Sequence, residues 1–212
     1  STNAIRLIGE SVPGAPESKA LLHLAISDKR GHSMIIEVSD GVMSFYSDDS
    51  YTVMTNQPSY TAQLQLIQYW LFQWGKSSER NLTPVFTAPG GTSPSQRFER
   101  ACFYRYMQGE NGLAIDRLAQ VRSMVTTCST PLHCQLNEKQ VPYTLWLNLS
   151  DTKTLTYYFQ NTEALSLVWC TFEARSDVGK SKRLQVSVPN KPLTQLGLMN
   201  DQLSLCSDPF SS

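Results

Sequence analysis

The sequence predicts an α+β fold in a single domain over residues 1–212, and three observations carry that reading. Short apolar runs separated by turn residues fill Leu21 to Thr55, helical spacing takes over from Pro58 to Cys128, and short apolar runs return from Tyr143 to Glu173. Strands grouped with strands and helices with helices mark sheets and a helical layer, not alternating βαβ units. Four strands, three helices and three or four further strands fit two sheets with helices on one outer face.

Composition bounds the function. At 212 residues the chain is long enough for one sizeable core, and no linker divides it. Hydrophobic residues make up 41% and charged residues 17%, a globular composition. Lys plus Arg equals Asp plus Glu at 18 each, which argues against nucleic-acid or anionic-membrane partners, since both need clustered positive charge. The longest apolar runs, LLHLAI and LSLVW, fall far short of the roughly 20 residues of a membrane span. The opening STNAIRLIGE lacks the apolar core of a signal peptide. Five cysteines (Cys102, Cys128, Cys134, Cys170 and Cys206) form an odd set without paired short spacing, and are read as mostly reduced core thiols.

Asn3 to Ile8 reads as the end of a helix stopped at Gly9, with a loop from Val12 to Pro16. LLHLAISD is a first strand, Lys29 to Gly31 its turn and SMIIEVSD a second strand. Asp40-Gly41 turns into VMSFYS, and Ser47 to Ser50 into a fourth strand, YTVMT. The near-continuous apolar character of LLHLAI and MII predicts a sheet covered on both faces. After Pro58, the residues Ile67, Trp70, Leu71 and Trp74 fall at i, i+3, i+4 and i+7, one apolar stripe ending at Gly75. Lys76 to Gly91 is polar and rich in Gly and Pro, an exposed loop. Ser93 is an N-cap, Pro94 the first helical residue and Gln96 the partner in a capping box. The helix that follows has Phe98, Ala101, Cys102 and Tyr106 as its buried side and ends at Gly109. A third helix, Leu113 to Cys128, puts Ala114, Leu118, Val121 and Val125 on one face. Pro131 to Pro142 is irregular; strands then recur in YTLWLNLS, TLTYYFQ and LSLVWCTFE, with LQVSV as a further strand.

Asn56, a polar side chain at the end of a buried strand, stands where folds tend to place chemistry. By residue type alone it is equally at home capping the turn before Pro58. His23, His32 and His133 lack metal-ligand spacing. Asn81-Leu-Thr83 and Asn148-Leu-Ser150 are glycosylation sequons only on a eukaryotic secretory route.

Three blocks, LHLAISDKRG, YTVMTNQP and TSPSQRFERACFY, together resemble the choloylglycine hydrolase family of linear-amide hydrolases, which includes penicillin V acylases and bile salt hydrolases. A fourth, LSDTKTLTYYFQNTEALSLVW, extends the likeness to Trp169. The resemblance implies a four-layer αββα sandwich of the amino-terminal-nucleophile (Ntn) hydrolases, of which this chain would supply much of each sheet and one helical layer. It implies hydrolysis of small N-acyl amide substrates by an N-terminal cysteine carried on a missing N-terminal fragment that precedes this chain. In TNQP, Asn56 matches the asparagine that donates to the oxyanion; in SQRFER, Arg97 matches the arginine beside the nucleophile. Otherwise Arg97 would be a surface residue pairing with Glu99 or Glu110, and Arg100 is read as structural. Neither metal nor organic cofactor is implied. The wording of the blocks lies closest to the Gram-negative penicillin V acylase-like branch, implying a periplasmic location; homo-oligomerisation is left open. The chain departs from many relatives at Trp146-Leu147-Asn148, where an arginine would be expected. Two rival readings are a non-catalytic sandwich domain binding an acylated ligand or partner chain, and catalysis by Ser1, which opens onto a helix-like segment and not onto a strand.

Overall fold

Strands β1 (Leu22–Ser27), β2 (Ser33–Ser39) and β3 (Val42–Tyr46) form an antiparallel sheet in the order β1-β2-β3. The computed structural model describes residues 22–39, 42–48, 50–109, 114–136, 139–140, 143–164, 166–172, 181–184 and 196–206. Ser1, the helix expected at Asn3–Ile8, the Asp40-Gly41 turn and nearly all of LQVSV lie outside them. Asp28 builds the first turn, its Oδ1 accepting from the backbone N–H of Arg30 at 2.8 Å and of His32 at 3.1 Å. Gly31 completes it at φ +92°, a left-handed conformation in which a side chain would be strained. Ile35 and Ile36 point to opposite faces of β2 and both are buried, so the central strand is covered on both sides as expected. The register sets His23 directly opposite Glu37 and Ala25 opposite Ile35, on the face that meets the helices.

The expected fourth strand is a correction. Among the described residues, Tyr51–Thr55 join no ladder. Local turns and side chains take their backbone groups instead: Tyr51 N–H donates to Asp48 O and Thr52 N–H to Ser50 O, while Tyr51 O accepts from Ser33 Oγ at 3.3 Å.

Helix α1 (Tyr60–Gln73) starts at Ser59, whose hydroxyl accepts from Ala62 N–H. Its predicted stripe faces inward, with Ile67 and Trp74 buried and Trp70 and Leu71 packed against them. The helix closes in a Schellman motif: Gly75, at φ +66°, donates to Phe72 O and Lys76 to Leu71 O. The following loop is stitched back to the helix end by Asn81 Nδ2 to Phe72 O (3.0 Å), Val85 N–H to Gln73 O (2.9 Å) and Trp74 Nε1 to Thr87 O (2.9 Å).

Helix α2 (Pro94–Met107) begins as predicted, Ser93 Oγ accepting from Gln96 N–H at 3.3 Å. The capping box closes differently, since the side-chain Oε1 of Gln96 accepts from the Ser93 hydroxyl at 3.0 Å. Phe98 and Cys102 are buried, but the inward stripe continues through Phe103 and Met107 while Tyr106 stays 38% exposed. The reason is Trp74, whose ring lies 5.3 Å from that of Phe103 and draws that side of the helix inward. Tyr60, Ile67, Trp74, Phe98, Cys102 and Ile35 make the core under the first sheet.

Helix α3 (Ala114–Thr127) packs on α2 and on the second sheet. Val121 and Val125, expected to be buried, are 40% and 37% exposed. The irregular connection holds a short hairpin, β4 (Gln135–Leu136) and β5 (Lys139–Gln140). β6 (Trp146–Asp151), β7 (Thr156–Asn161) and β8 (Leu167–Thr171) form the expected antiparallel meander. β9 (Ser181–Arg183) pairs with β11 (Ser204–Cys206), and β10 (Leu196–Leu198) adds to β8 in parallel; none of these three was expected. All five cysteines are free, but only Cys102 is buried in the core; the other four are half-buried. Among the described residues no helix is long and apolar enough to cross a membrane.

Candidate active site

Thr55 is gripped on every polar atom. Its N–H donates to Gln63 Oε1 at 3.0 Å, and its carbonyl accepts from Gln63 Nε2 at 3.0 Å and from His23 Nδ1 at 2.7 Å. Its hydroxyl lies 3.0 Å from Pro94 O, to which it donates, at the first turn of α2. Gln63, fully buried on α1, also donates to Pro58 O at 2.7 Å. Buried polar groups cost free energy unless paired, so this saturated set holds the turn from Thr55 to Pro58 in one conformation.

Asn56 projects from that turn, exposed, and Arg97 reaches it from the first turn of α2. Arg97 Nη2 lies 3.3 Å from Asn56 Oδ1, and Arg97 Nε donates to Thr92 O at 3.2 Å. A guanidinium only donates, so the oxygen of the Asn56 amide must face it, and the Nδ2 hydrogens are left to point elsewhere. The two residues singled out from sequence, 41 positions apart, are thus brought together.

The pairing expected of a merely structural Arg97 is absent for Glu99, whose carboxyl pKa burial raises. Glu110 is outside the described residues. Arg100 bridges three carbonyls, Thr127 O at 2.8 Å, Pro89 O at 2.7 Å and Gly91 O at 2.9 Å, and so ties α2 to the end of α3 and to the loop before Ser93.

Beside Arg97 opens a groove of about 680 Å³ running between the two sheets. Val53 and Met54 form one wall, Val121, Met124 and Val125 of α3 the other, and Trp146, Leu147 and Asn148 of β6 the far end. Among the described residues, Arg97 and Arg105 are the charged members of the lining, which contains no carboxylate. The half-exposed valines of α3 are therefore groove wall. Asn148 lines the groove and donates to Tyr157 OH at 2.9 Å. Cys128 also lines it, its thiol donating to Arg97 O at 3.5 Å.

Sequence reasoning missed His23, Glu37 and Gln63. His23 had been considered only as a metal ligand; its Nε2 lies 2.6 Å from Glu37 Oε1, and both side chains are almost wholly buried. The signal was present: a titratable residue interrupts each of two apolar strands, and the tight turn between them sets the two opposite each other. His32 pairs with Asp28 on the surface, and His133 lies beside the Tyr143 ring.

Residues 3–176 match the model of the linear amide C–N hydrolases, choloylglycine hydrolase family. A penicillin V acylase of Pectobacterium atrosepticum is 31% identical over 163 residues, covering 71% of this chain and 41% of that protein. The structure of penicillin V acylase from Agrobacterium tumefaciens superposes with a TM-score of 0.72 at 26% identity, over 87% of this chain and 56% of that one. A conjugated bile acid hydrolase from Clostridium perfringens shares the fold, with a TM-score of 0.51 at 17% identity, over 68% of this chain and 48% of that one. The chain thus spans about half the length of these relatives. The family match runs from the first sheet through the turn that carries Asn56 to β8, and on that ground the chain belongs to the choloylglycine hydrolase family of linear amide C–N hydrolases.

Proposed function

We propose that this chain supplies the oxyanion asparagine, Asn56, and the active-site arginine, Arg97, of an amidase that cleaves the linear amide bond of an N-acyl substrate of the penicillin V or conjugated bile acid type. The observation that carries the reading is the Arg97–Asn56 contact. It consumes the amide oxygen and leaves Nδ2, a donor that does not titrate, beside a largely apolar groove whose lining includes Thr55, Arg97 and Arg105.

In this reading an N-terminal cysteine, carried on polypeptide outside this chain, provides the nucleophile, and its own α-amine accepts the thiol proton. The thiolate attacks the acyl carbon; as the C–S bond forms, the carbonyl oxygen gains charge and accepts from Asn56 Nδ2. The C–N bond then breaks with transfer of the proton to the leaving amine, and water cleaves the thioester to release the acid. Arg97 favours the thiolate, since a fixed cation nearby lowers a thiol pKa. A complete four-layer αββα sandwich in one domain follows, with the missing strands lying along the segment of Val53 and Met54. The segment of Val53 and Met54, which joins no ladder among the described residues, runs beside apolar walls and supports that placement.

The test begins with intact mass and N-terminal sequencing of the native protein to find a polypeptide starting with Cys, followed by hydrolysis of penicillin V and of a conjugated bile acid. Asn56→Ala is expected to lower kcat by about 10²–10³-fold, the loss typical of one oxyanion donor. A variant that keeps kcat within fivefold would sink the assignment of Asn56.

A further inference from the structure

The buried pair His23–Glu37 takes no part in the chemistry just described, yet it touches both ends of the segment that displays Asn56. His23 Nδ1 meets Thr55 O at 2.7 Å, immediately before Asn56, and Glu37 Oε1 accepts from Tyr60 N–H at 2.8 Å, immediately after Ser59. Between the two contacts runs the 2.6 Å link from His23 Nε2 to Glu37 Oε1. Residues 56–59 are thus bracketed by one rigid cross-strand pair.

The protonation state follows from the partners. A carbonyl only accepts, so Nδ1 carries a hydrogen, and a second proton is shared between Nε2 and Glu37 Oε1. Both side chains are removed from water, their exposure being 3% and 6%, and burying such a pair is costly. An apolar pair would cover the same sheet face more cheaply. What it could not do is hold Thr55 O and Tyr60 N–H at a set separation. Asn56 itself is exposed on a turn, where a side chain without such support samples several rotamers.

The geometry points to His23 and Glu37 as positioning residues that act through Asn56: they hold the 55–60 segment so that Nδ2 is presented to the developing oxyanion while Oδ1 stays on Arg97. This rests on the amidase reading above, and the experiment separates the two.

A double-mutant cycle is run on the native amidase with penicillin V as probe. His23→Gln is expected to lower kcat about tenfold with KM within twofold, whereas the surface control His32→Gln leaves both unchanged. In an Asn56→Ala background the His23→Gln loss should shrink to under twofold, because the residue it acts through is gone. Persistence of the tenfold loss in that background, or wild-type kcat in His23→Gln, overturns the positioning role. Glu37→Gln, of nearly the same volume, carries the same cycle if His23→Gln does not fold.

If Asn56→Ala itself leaves kcat untouched, the assignment of Asn56 to the oxyanion fails. The positioning role is then read without turnover, from the Asn56 side-chain amide in ¹⁵N–¹H spectra. Its two hydrogens are expected to be distinct in the parent and in His32→Gln, but exchange-broadened in His23→Gln with Asn81 unaffected. An unchanged Asn56 amide in His23→Gln overturns it.

Discussion

Replacing Gln63 by glutamate tests the most tightly constrained point in the structure. Gln63 Nε2 donates to two carbonyls, Thr55 O at 3.0 Å and Pro58 O at 2.7 Å, while its Oε1 accepts from Thr55 N–H. In Gln63→Glu an oxygen takes the place of that nitrogen, and a carboxylate there would face two carbonyl oxygens with nothing to donate. The side chain therefore keeps its proton, so its folded pKa lies above the unfolded glutamate value of about 4.3. A group with a raised folded pKa gives stability that is present below the unfolded value and lost as pH rises. Holding the proton costs about 1.4 kcal/mol per pH unit, hence about 3.7 kcal/mol at pH 7 and about 1 kcal/mol at pH 5. To either figure is added about 1 kcal/mol for the carbonyl that a single hydroxyl cannot reach. Urea unfolding followed by tryptophan fluorescence, at both pH values and relative to the parent, measures the difference directly. A deficit below about 1 kcal/mol at pH 7, or one equal at the two pH values, would refute the account of Gln63 as a buried clamp.

Arg100→Lys should cost about 2 kcal/mol by urea denaturation, because one ammonium cannot serve the three carbonyls of Thr127, Pro89 and Gly91. Burial pushes the Cys102 thiol up to about 12, so it should resist thiol reagents at pH 8 until the chain unfolds, while groove-facing Cys128 reacts in the native state; mass mapping of labelled peptides reads both. Stability should fall as pH rises above about 9, since the unfolded chain then releases the Cys102 proton and the folded one does not; burial moves Tyr60 upward too and extends the fall. The slope approaches about 1.4 kcal/mol per pH unit for each group, and unfolding midpoints between pH 8 and 10 check it.

What could be read from sequence was local. Ser93 and Pro94 specify a helix start by side-chain and ring geometry alone, Asp28 and Gly31 a turn, and the stripe from Ile67 to Trp74 an inward face. What could not be read depends on partners distant along the chain. YTVMT has the composition of a strand, but a strand needs a neighbour, and among the described residues none pairs with it. Val121 and Val125 have the spacing of a buried face, yet spacing does not say whether that face meets a neighbour or an open groove. The Asn56–Arg97 pair was named through family motifs, while its geometry depends on Thr55 linking the end of one segment to the start of α2. His23 and Glu37 stay hidden when residues are read singly, because only their register gives them meaning.

The loop between α1 and α2 is sewn to the end of α1 at Asn81, Val85 and Trp74, while its far end, Pro89 to Thr92, is held by Arg100 and Arg97 of α2, and α2 is anchored in turn at Thr55. Distance along the chain is thereby uncoupled from distance in space. An added arm spliced among residues 77–80 would extend from the surface between two sutures, leaving Asn56 and Arg97 where they are. That makes this stretch the natural place to graft a tag, a reporter or a new recognition element without touching the chemistry.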